Sequence, residues 1–303
     1  TETADFDPGV GTSNLVSNGQ LDAFALKLDM DGAFQWAQNF GAGGNDSAKS
    51  LAVDSSGVYV TGGFSGTVNF NSSGSANLST PDVNTVNGYL VKLDGNGAYQ
   101  WAHKVGDLGS GVALDTSASY VHITGHFSGT NDFDPGAGTS NSSSLGSTDA
   151  YLLTLNIDGT FVRVARFGNS GTDQGRNITV DSSGNVLATG VFTTGSNSPV
   201  DFDPGSGSAN LLAQLTDVYV VKLTRSGSYV WARQFGGSNR EYIFAITADS
   251  AGNAIVSGSW AGNMDLNNSD ANNPTITSST NPNDDAFVAK LRSTDGYTDT
   301  TAP

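Results

Sequence analysis

A Thr/Ser-Gly-x-aromatic element recurs four times along this chain of 303 residues, as Thr61-Gly62-Gly63-Phe64, Thr124-Gly125-His126-Phe127, Thr189-Gly190-Val191-Phe192 and Ser257-Gly258-Ser259-Trp260. Its glycines step by 63, 65 and 68 residues. A repeat of that length constrains the fold more than any local signal, because each copy must be a supersecondary unit that stacks on its neighbours. A second element precedes the first each time: Leu51-Ala52-Val53-Asp54, Val112-Ala113-Leu114-Asp115, Ile178-Thr179-Val180-Asp181 and Ile246-Thr247-Ala248-Asp249. A third, Asp/Asn-x-aromatic-apolar-x-x-Leu, occurs five times, over 22–28, 87–93, 149–155, 217–223 and 285–291. The fourth is an aromatic strand, Phe34-Gln35-Trp36-Ala37, Tyr99-Gln100-Trp101-Ala102, Phe161-Val162-Arg163-Val164 and Tyr229-Val230-Trp231-Ala232, closed by Gly41, Gly106, Gly168 and Gly236. Arg163 stands where the other three copies have tryptophan.

Each element alternates apolar with small or polar residues over four to eight positions, the period of half-buried strands. The segments Asp29-Met30-Asp31-Gly32, Asp54-Ser55-Ser56-Gly57 and Asp181-Ser182-Ser183-Gly184 place a side-chain acceptor first and a glycine where φ turns positive, so they read as hairpin turns. Composition agrees. Glutamate occurs only at Glu2 and Glu241 among 29 acidic residues, and there are 39 glycines, a profile of turns rather than helices. Four antiparallel strands cannot bury both faces alone, so the units must stack, and radial stacking protects their edges. The expected class is an all-β propeller.

The string Asp-Ala-Phe-Val-Ala-Lys-Leu (285–291), a Gly turn, an aromatic strand with Trp, then Val-Asp-Ser-Ser-Gly-Asn and Thr-Gly, resembles the bacterial SBBP β-propeller repeat. The Asp-Phe-Asp-Pro-Gly inserts are similar to a variant of that repeat in large exported proteins. The resemblance runs from Asp5 to Leu291; it implies the fold and a secreted or cell-surface bacterial setting, and brings no catalytic residues with it. Related propellers put the Leu-Ala-Val-Asp strand innermost, followed outward by the Thr-Gly, Asp-Ala-Phe and Trp strands. On that order, blades are expected at about 51–105, 111–168 and 177–236, with 245–297 completed by 1–40 through strand exchange between the N- and C-termini. Residues 1–297 then form one domain and 298–303 a linker. Four blades are favoured because four inner strands exist; five is the alternative, since one Asp-Ala-Phe strand is left over.

With 13 Lys+Arg against 29 Asp+Glu, the net charge is −16, which repels nucleic acid and anionic membranes. The absence of cysteine removes disulfides, thiolate metal sites and cysteine nucleophiles. No apolar run is long enough to span a bilayer, so no membrane insertion is expected. The chain opens inside a motif at Ala4-Asp5-Phe6-Asp7-Pro8-Gly9, which points to a module of a larger chain, monomeric as a unit.

The inserts are the sharpest candidate site. Asp5/Asp7, Asp132/Asp134 and Asp201/Asp203 each present two carboxylates on one side of an extended segment, the oxygen chemistry that Ca²⁺ takes. The alternative is a turn cap with an anchoring phenylalanine, and the drift to Asn69/Asn71 and Asp265/Asn267 favours it. His122 and His126 share a strand face but lie roughly 13 Å apart, too far to hold one ion. Asp54, Asp115, Asp181 and Asp249 repeat in register, as structural turn residues do. The residues that break the repeat, Arg163, His126, Arg240 and Glu241, form no recognisable acid and base pair. Trp36, Trp101, Trp231 and Trp260 suit packing between blades better than sugar stacking. The expectation is a non-catalytic scaffold or binding module for a glycan or protein. A carbohydrate-active propeller enzyme and a Ca²⁺-stabilised lectin-like module are the alternatives.

Overall fold

The computed structural model describes residues 2–237, 239–265, 275–277 and 285–295. Every regular element among them is a β-strand, and the strands form a four-blade propeller arrangement of antiparallel sheets. Blade 1 comprises Ser47–Asp54, Gly57–Ser65, Val86–Leu93 and Tyr99–Lys104; blade 2 Leu108–Asp115, Tyr120–Phe127, Asp149–Asn156 and Phe161–Phe167. Blade 3 comprises Gln174–Val180, Val186–Thr193, Thr216–Leu223 and Tyr229–Gly237, and blade 4 Glu241–Ala248, Ala254–Trp260 and Asp285–Leu291. Within each blade the strands pair in chain order, and the first strands of successive blades lie side by side. The Leu-Ala-Val-Asp strand is therefore innermost, as expected.

The signature residues of the repeat have mechanical causes. A bulge early in each inner strand, between Ala48/Ser50, Gly109/Gly111, Gly175/Asn177 and Ile243/Ala245, turns a carbonyl toward the second strand. A Cβ on Gly62, Gly125, Gly190 or Gly258 would come within 2.0 Å of that oxygen, so the position admits only glycine. The threonine before it donates its hydroxyl to a third-strand carbonyl, Thr61 to Tyr89, Thr124 to Tyr151 and Thr189 to Tyr219, at 2.6–2.8 Å. This satisfies a buried hydroxyl that would otherwise cost about 1–3 kcal/mol.

The core is distributed between blades rather than gathered at one centre. The Tyr151, Leu153 and Leu155 face of blade 2 packs on Tyr59 and Leu90 of blade 1. Tyr219, Val221 and Leu223 pack on Ala150 and Leu152, and Phe287, Ala289 and Leu291 pack on Val218 and Val220. At the N-terminal end, Ala23 and Ala25 cover Tyr89, Val91 and Leu93.

That last contact corrects the expected strand exchange. Phe34–Phe40 pairs with Ala23–Leu28, in the register Ala23 to Phe40 and Leu28 to Phe34, and among the described residues neither pairs with Asp285–Leu291. The reason is local: Asp29 caps the connecting turn by accepting the amides of Asp31 and Ala33 at 3.0 and 2.8 Å. A short hairpin closes at far lower entropic cost than a junction spanning the whole chain. The hairpin docks on blade 1 as an outer half-blade, leaving Phe24 and Val288 exposed on opposite ends of the arc. The expected linker, 298–303, lies outside the described residues.

Candidate functional site: the inserts and the rim clefts

Each Asp-Phe-Asp-Pro-Gly insert is a two-stranded ribbon: those of blades 2 and 3 lie between the second and third strands, as in Thr130–Asp132 with Asn141–Ser143, and the first, Thr3–Asp5 with Asn14–Val16, precedes the Ala23–Leu28 strand. The first aspartate accepts two backbone amides: Asp5 from Asp7 and Ser13, Asp132 from Asp134 and Ser140, Asp201 from Asp203 and Ala209, at 2.8–3.0 Å. The second accepts one, Asp7 from Gly9, Asp134 from Gly136 and Asp203 from Gly205, at 2.8 Å. Asn69 and Asn71 make the same set, to Asn71, Ala76 and Ser73, at 2.9–3.1 Å. A neutral amide oxygen thus performs the same task, and the turn needs an acceptor rather than a charge. Phe70, Phe133 and Phe202 are buried against aromatic clusters, with Phe202 4.7 Å from Tyr219 and Phe133 5.0 Å from Tyr151 between ring centroids. Asp265 begins the last copy, while Asn267 lies outside the described residues. Among the described residues, no three His, Asp or Glu side chains gather so as to hold a metal ion.

The other sequence candidates fall into structural roles. Asp54, Asp115, Asp181 and Asp249 cap the hairpin between the first two strands, accepting the amides of Ser56, Ser117, Ser183 and Ala251. Three also meet cations: Arg225 at 2.6 Å from Asp115, Lys222 at 2.9 Å from Asp181 and Lys290 at 3.0 Å from Asp249. The Arg225 pair joins blade 3 to blade 2, a contact that no spacing in the sequence announces. His122 is fully buried with Nδ1 3.0 Å from Thr154 Oγ1, and burial pushes its pKa down to about 3. Burial lowers His126 as well.

The aromatic strand positions build the outer rim. Trp36, Trp101 and Trp231 donate Nε1–H to the next hairpin's carbonyl, at Gly95, Ile157 and Ser293, over 3.1–3.3 Å. Arg163, the expected loss, donates Nη2–H to Arg225 O at 2.6 Å and lies over the Tyr120 ring. It replaces both the hydrogen bond and the packing. All these residues therefore clamp neighbouring blades together.

Beside the Trp101 and Arg163 clamps the insert of the following blade forms one wall of a cleft. Between blades 1 and 2 a cleft of about 390 Å³ is lined by Trp101, His103, Asp134, Pro135, Asp158 and Phe161. Between blades 2 and 3 one of about 460 Å³ is lined by Arg163, Ala165, Asp203, Pro204, Ser226 and Tyr229. Both fall within the size range of small-ligand sites. In the first, His103 stacks on Trp101 at 4.9 Å, and burial lowers its pKa, favouring the neutral ring. Sequence reading missed these clefts because their walls come from residues 31 to 66 positions apart on different blades.

An uncharacterized WD repeat-containing protein of Acanthamoeba polyphaga mimivirus is 25% identical to this chain over 277 residues, covering 77% of this chain and 20% of that protein. The chain thus spans about one fifth of that relative's length. Residues 162–196, from the outer strand of blade 2 into blade 3, match the SBBP β-propeller repeat family. With the antiparallel four-blade arrangement, that match makes the chain a β-propeller repeat protein.

Proposed function

We propose that this chain is a non-catalytic binding module of a larger exported bacterial protein, and that it holds a glycan or an extended protein segment in its rim clefts. The observation that carries the reading is recurrence: the same insert, clamp and hairpin turn enclose a cleft at successive blade junctions. The acidic, cysteine-free composition and the SBBP match support the exported setting. His122 is buried within its blade and the repeated aspartates cap turns, whereas the clefts offer an aromatic edge, His103, carboxylates and Gly-rich backbone. Such surfaces recognise polar ligands with apolar faces.

The test is a glycan array followed by a display library of extended peptides, both with the whole chain. Asp134→Asn and Asp203→Asn keep the turn, as Asn71 does, while His103→Ala removes one cleft wall. Binding weakened at least fivefold in these variants at unchanged melting temperature is the expected result. A ligand whose affinity ignores all three variants would overturn the assignment.

A further inference from the structure

At the junctions between blades two acidic positions meet. Backbone bridges join Leu21 to Asn45, Thr148 to Thr172 and Thr216 to Arg240. They set Asp22 beside Asp46, Asp149 beside Asp173, and Asp217 beside Glu241. After burial, the neighbouring carboxylate is a further cause that raises the pKa of Asp46, Asp173 and Glu241. At the remaining junction Asn87 takes the first position, opposite Asp107.

The junctions settle this repulsion differently. Asp149 is met by Arg166 at 2.6 Å, and Asp173 accepts the amides of Asn169 and Thr193 at 2.8 and 3.1 Å. Asp46 accepts the amides of Ala42 and Ser65, both at 2.8 Å, while the half-buried Asp22 accepts the Asn18 amide at 3.1 Å and the Asn39 side-chain amide at 3.3 Å on Oδ2 and leaves Oδ1 without a partner. At the third junction both acids are fully buried, at 0% exposure each. The residue in the place of Arg166 is Gln234, whose amide donates to Leu212 O at 2.9 Å and to Asp217 Oδ2. Asp217 Oδ1 and both oxygens of Glu241 have no hydrogen-bond partner. Glutamate replaces the aspartate of the other copies, and it does not take up the second-strand amide that Asp46 and Asp173 hold; the Gly237 amide faces it outside hydrogen-bond geometry. Both carboxylates flank the Gly236-Gly237 pair: a Cβ on Gly236 would lie 2.1 Å from Asp217 Cγ, and one on Gly237 3.7 Å from Glu241 Oε1.

Asp217 Oδ2 also accepts the Gln214 amide at 3.2 Å, but a buried carboxylate with no donor beside a second that keeps one oxygen unpaired, and with no cation near either among the described residues, is costly, and one blade earlier the same geometry is resolved by a positive charge. We infer that Asp217 and Glu241 bind a divalent, oxygen-seeking cation, calcium or magnesium, at the position that the Arg166 guanidinium serves between blades 2 and 3. Asp217 Oδ1 and the Glu241 carboxylate are the charged ligands, and rotation of the Gln234 amide adds its oxygen. Backbone carbonyls and water complete the shell of a hard cation. Two carboxylates match a double charge, and so short a ligand set places the dissociation constant near the 0.1–1 mM typical of weak calcium modules. The site is separate from the inserts, whose aspartates are engaged by turn amides.

The experiment uses the whole chain stripped with chelator, then titrated with Ca²⁺ or Mg²⁺ while the melting temperature is followed, with Tb³⁺ luminescence as a second readout. Trp260 lies directly opposite Glu241 in the ladder and serves as sensitiser. A rise of about 4 °C near saturation is expected, together with Tb³⁺ emission that Ca²⁺ displaces. Gln234→Arg, which copies Arg166, should fold, melt higher than the parent in chelator, and lose the cation response. Glu241→Gln should lose it as well. Trp260→Phe, which copies Phe64, Phe127 and Phe192, should keep the melting shift and lose the emission. A cation response that survives both Gln234→Arg and Glu241→Gln would place binding elsewhere and overturn the assignment. So would a parent chain indifferent to both metals, its stability governed by pH alone, because the carboxyls would then share a proton.

Discussion

Truncating one phenylalanine of an insert separates the two accounts of that motif, the anchored turn and the charged metal loop. Phe202 is fully buried, with ring centroids 4.7 Å from Tyr219, 5.5 Å from Phe167 and 5.6 Å from Phe192. Its ribbon contains only Val200–Asp201 paired with Asn210–Leu211, too short to persist on its own. Phe202→Ala should therefore cost about 3–5 kcal/mol, the range for removing a buried aromatic from a packed core. Asp201→Asn keeps an acceptor for the amides of Asp203 and Ala209, as Asn69 does for Asn71 and Ala76, and should cost less than about 0.5 kcal/mol. Urea denaturation followed by circular dichroism, with and without calcium, measures both. The reasoning fails if Asp201→Asn is as damaging as Phe202→Ala, or if calcium stabilises the parent chain and not Asp201→Asn, since either result would make the carboxylate the anchor.

Three further outcomes follow from the same contacts. Arg163→Ala should destabilise by about 1–3 kcal/mol through loss of its hydrogen bond to Arg225 O and its stacking on Tyr120, whereas Arg163→Trp, which restores the repeat residue, should stay within about 1 kcal/mol of the parent in the same denaturation assay. Gly125→Ala should cost more than about 3 kcal/mol, because its Cβ would meet Leu108 O at 1.8 Å; a near-neutral melting temperature would refute the bulge as the reason for the Thr-Gly signature. Burial raises the pKa of Asp173 to about 6, against the pull of the Asn169 and Thr193 amides. A raised folded value means that its contribution to stability is present in full below the ordinary carboxylate range and is lost as pH climbs through about 6, so the urea midpoint should fall between pH 4 and 7, and Asp173→Asn should flatten that part of the profile.

Strand identity, hairpin turns and the four inner strands were legible because they depend on residues within a few positions of one another. Asp54 and Gly57 close a turn through their own backbone, and period-two alternation marks both faces of Val86–Leu93 whatever lies beside it. The inserts were legible in outline, since Asn69 and Asn71 already argued against a need for charge. Three matters required the assembled blades: the pairing of Phe34–Phe40 with its neighbour rather than with the far end, the clamp that Arg163 makes in place of tryptophan, and the meeting of Asp217 with Glu241. The Arg163 and Arg225 contacts that lock blades together bridge 62 and 110 residues. Chain chemistry sets local conformation, but only stacking decides which face meets which and whether a buried charge finds a partner. Glu241 looked like one irregular residue in a repeat; it is the packing of blade 4 on blade 3 that encloses it with a second carboxylate and without the arginine that serves the same position one blade earlier.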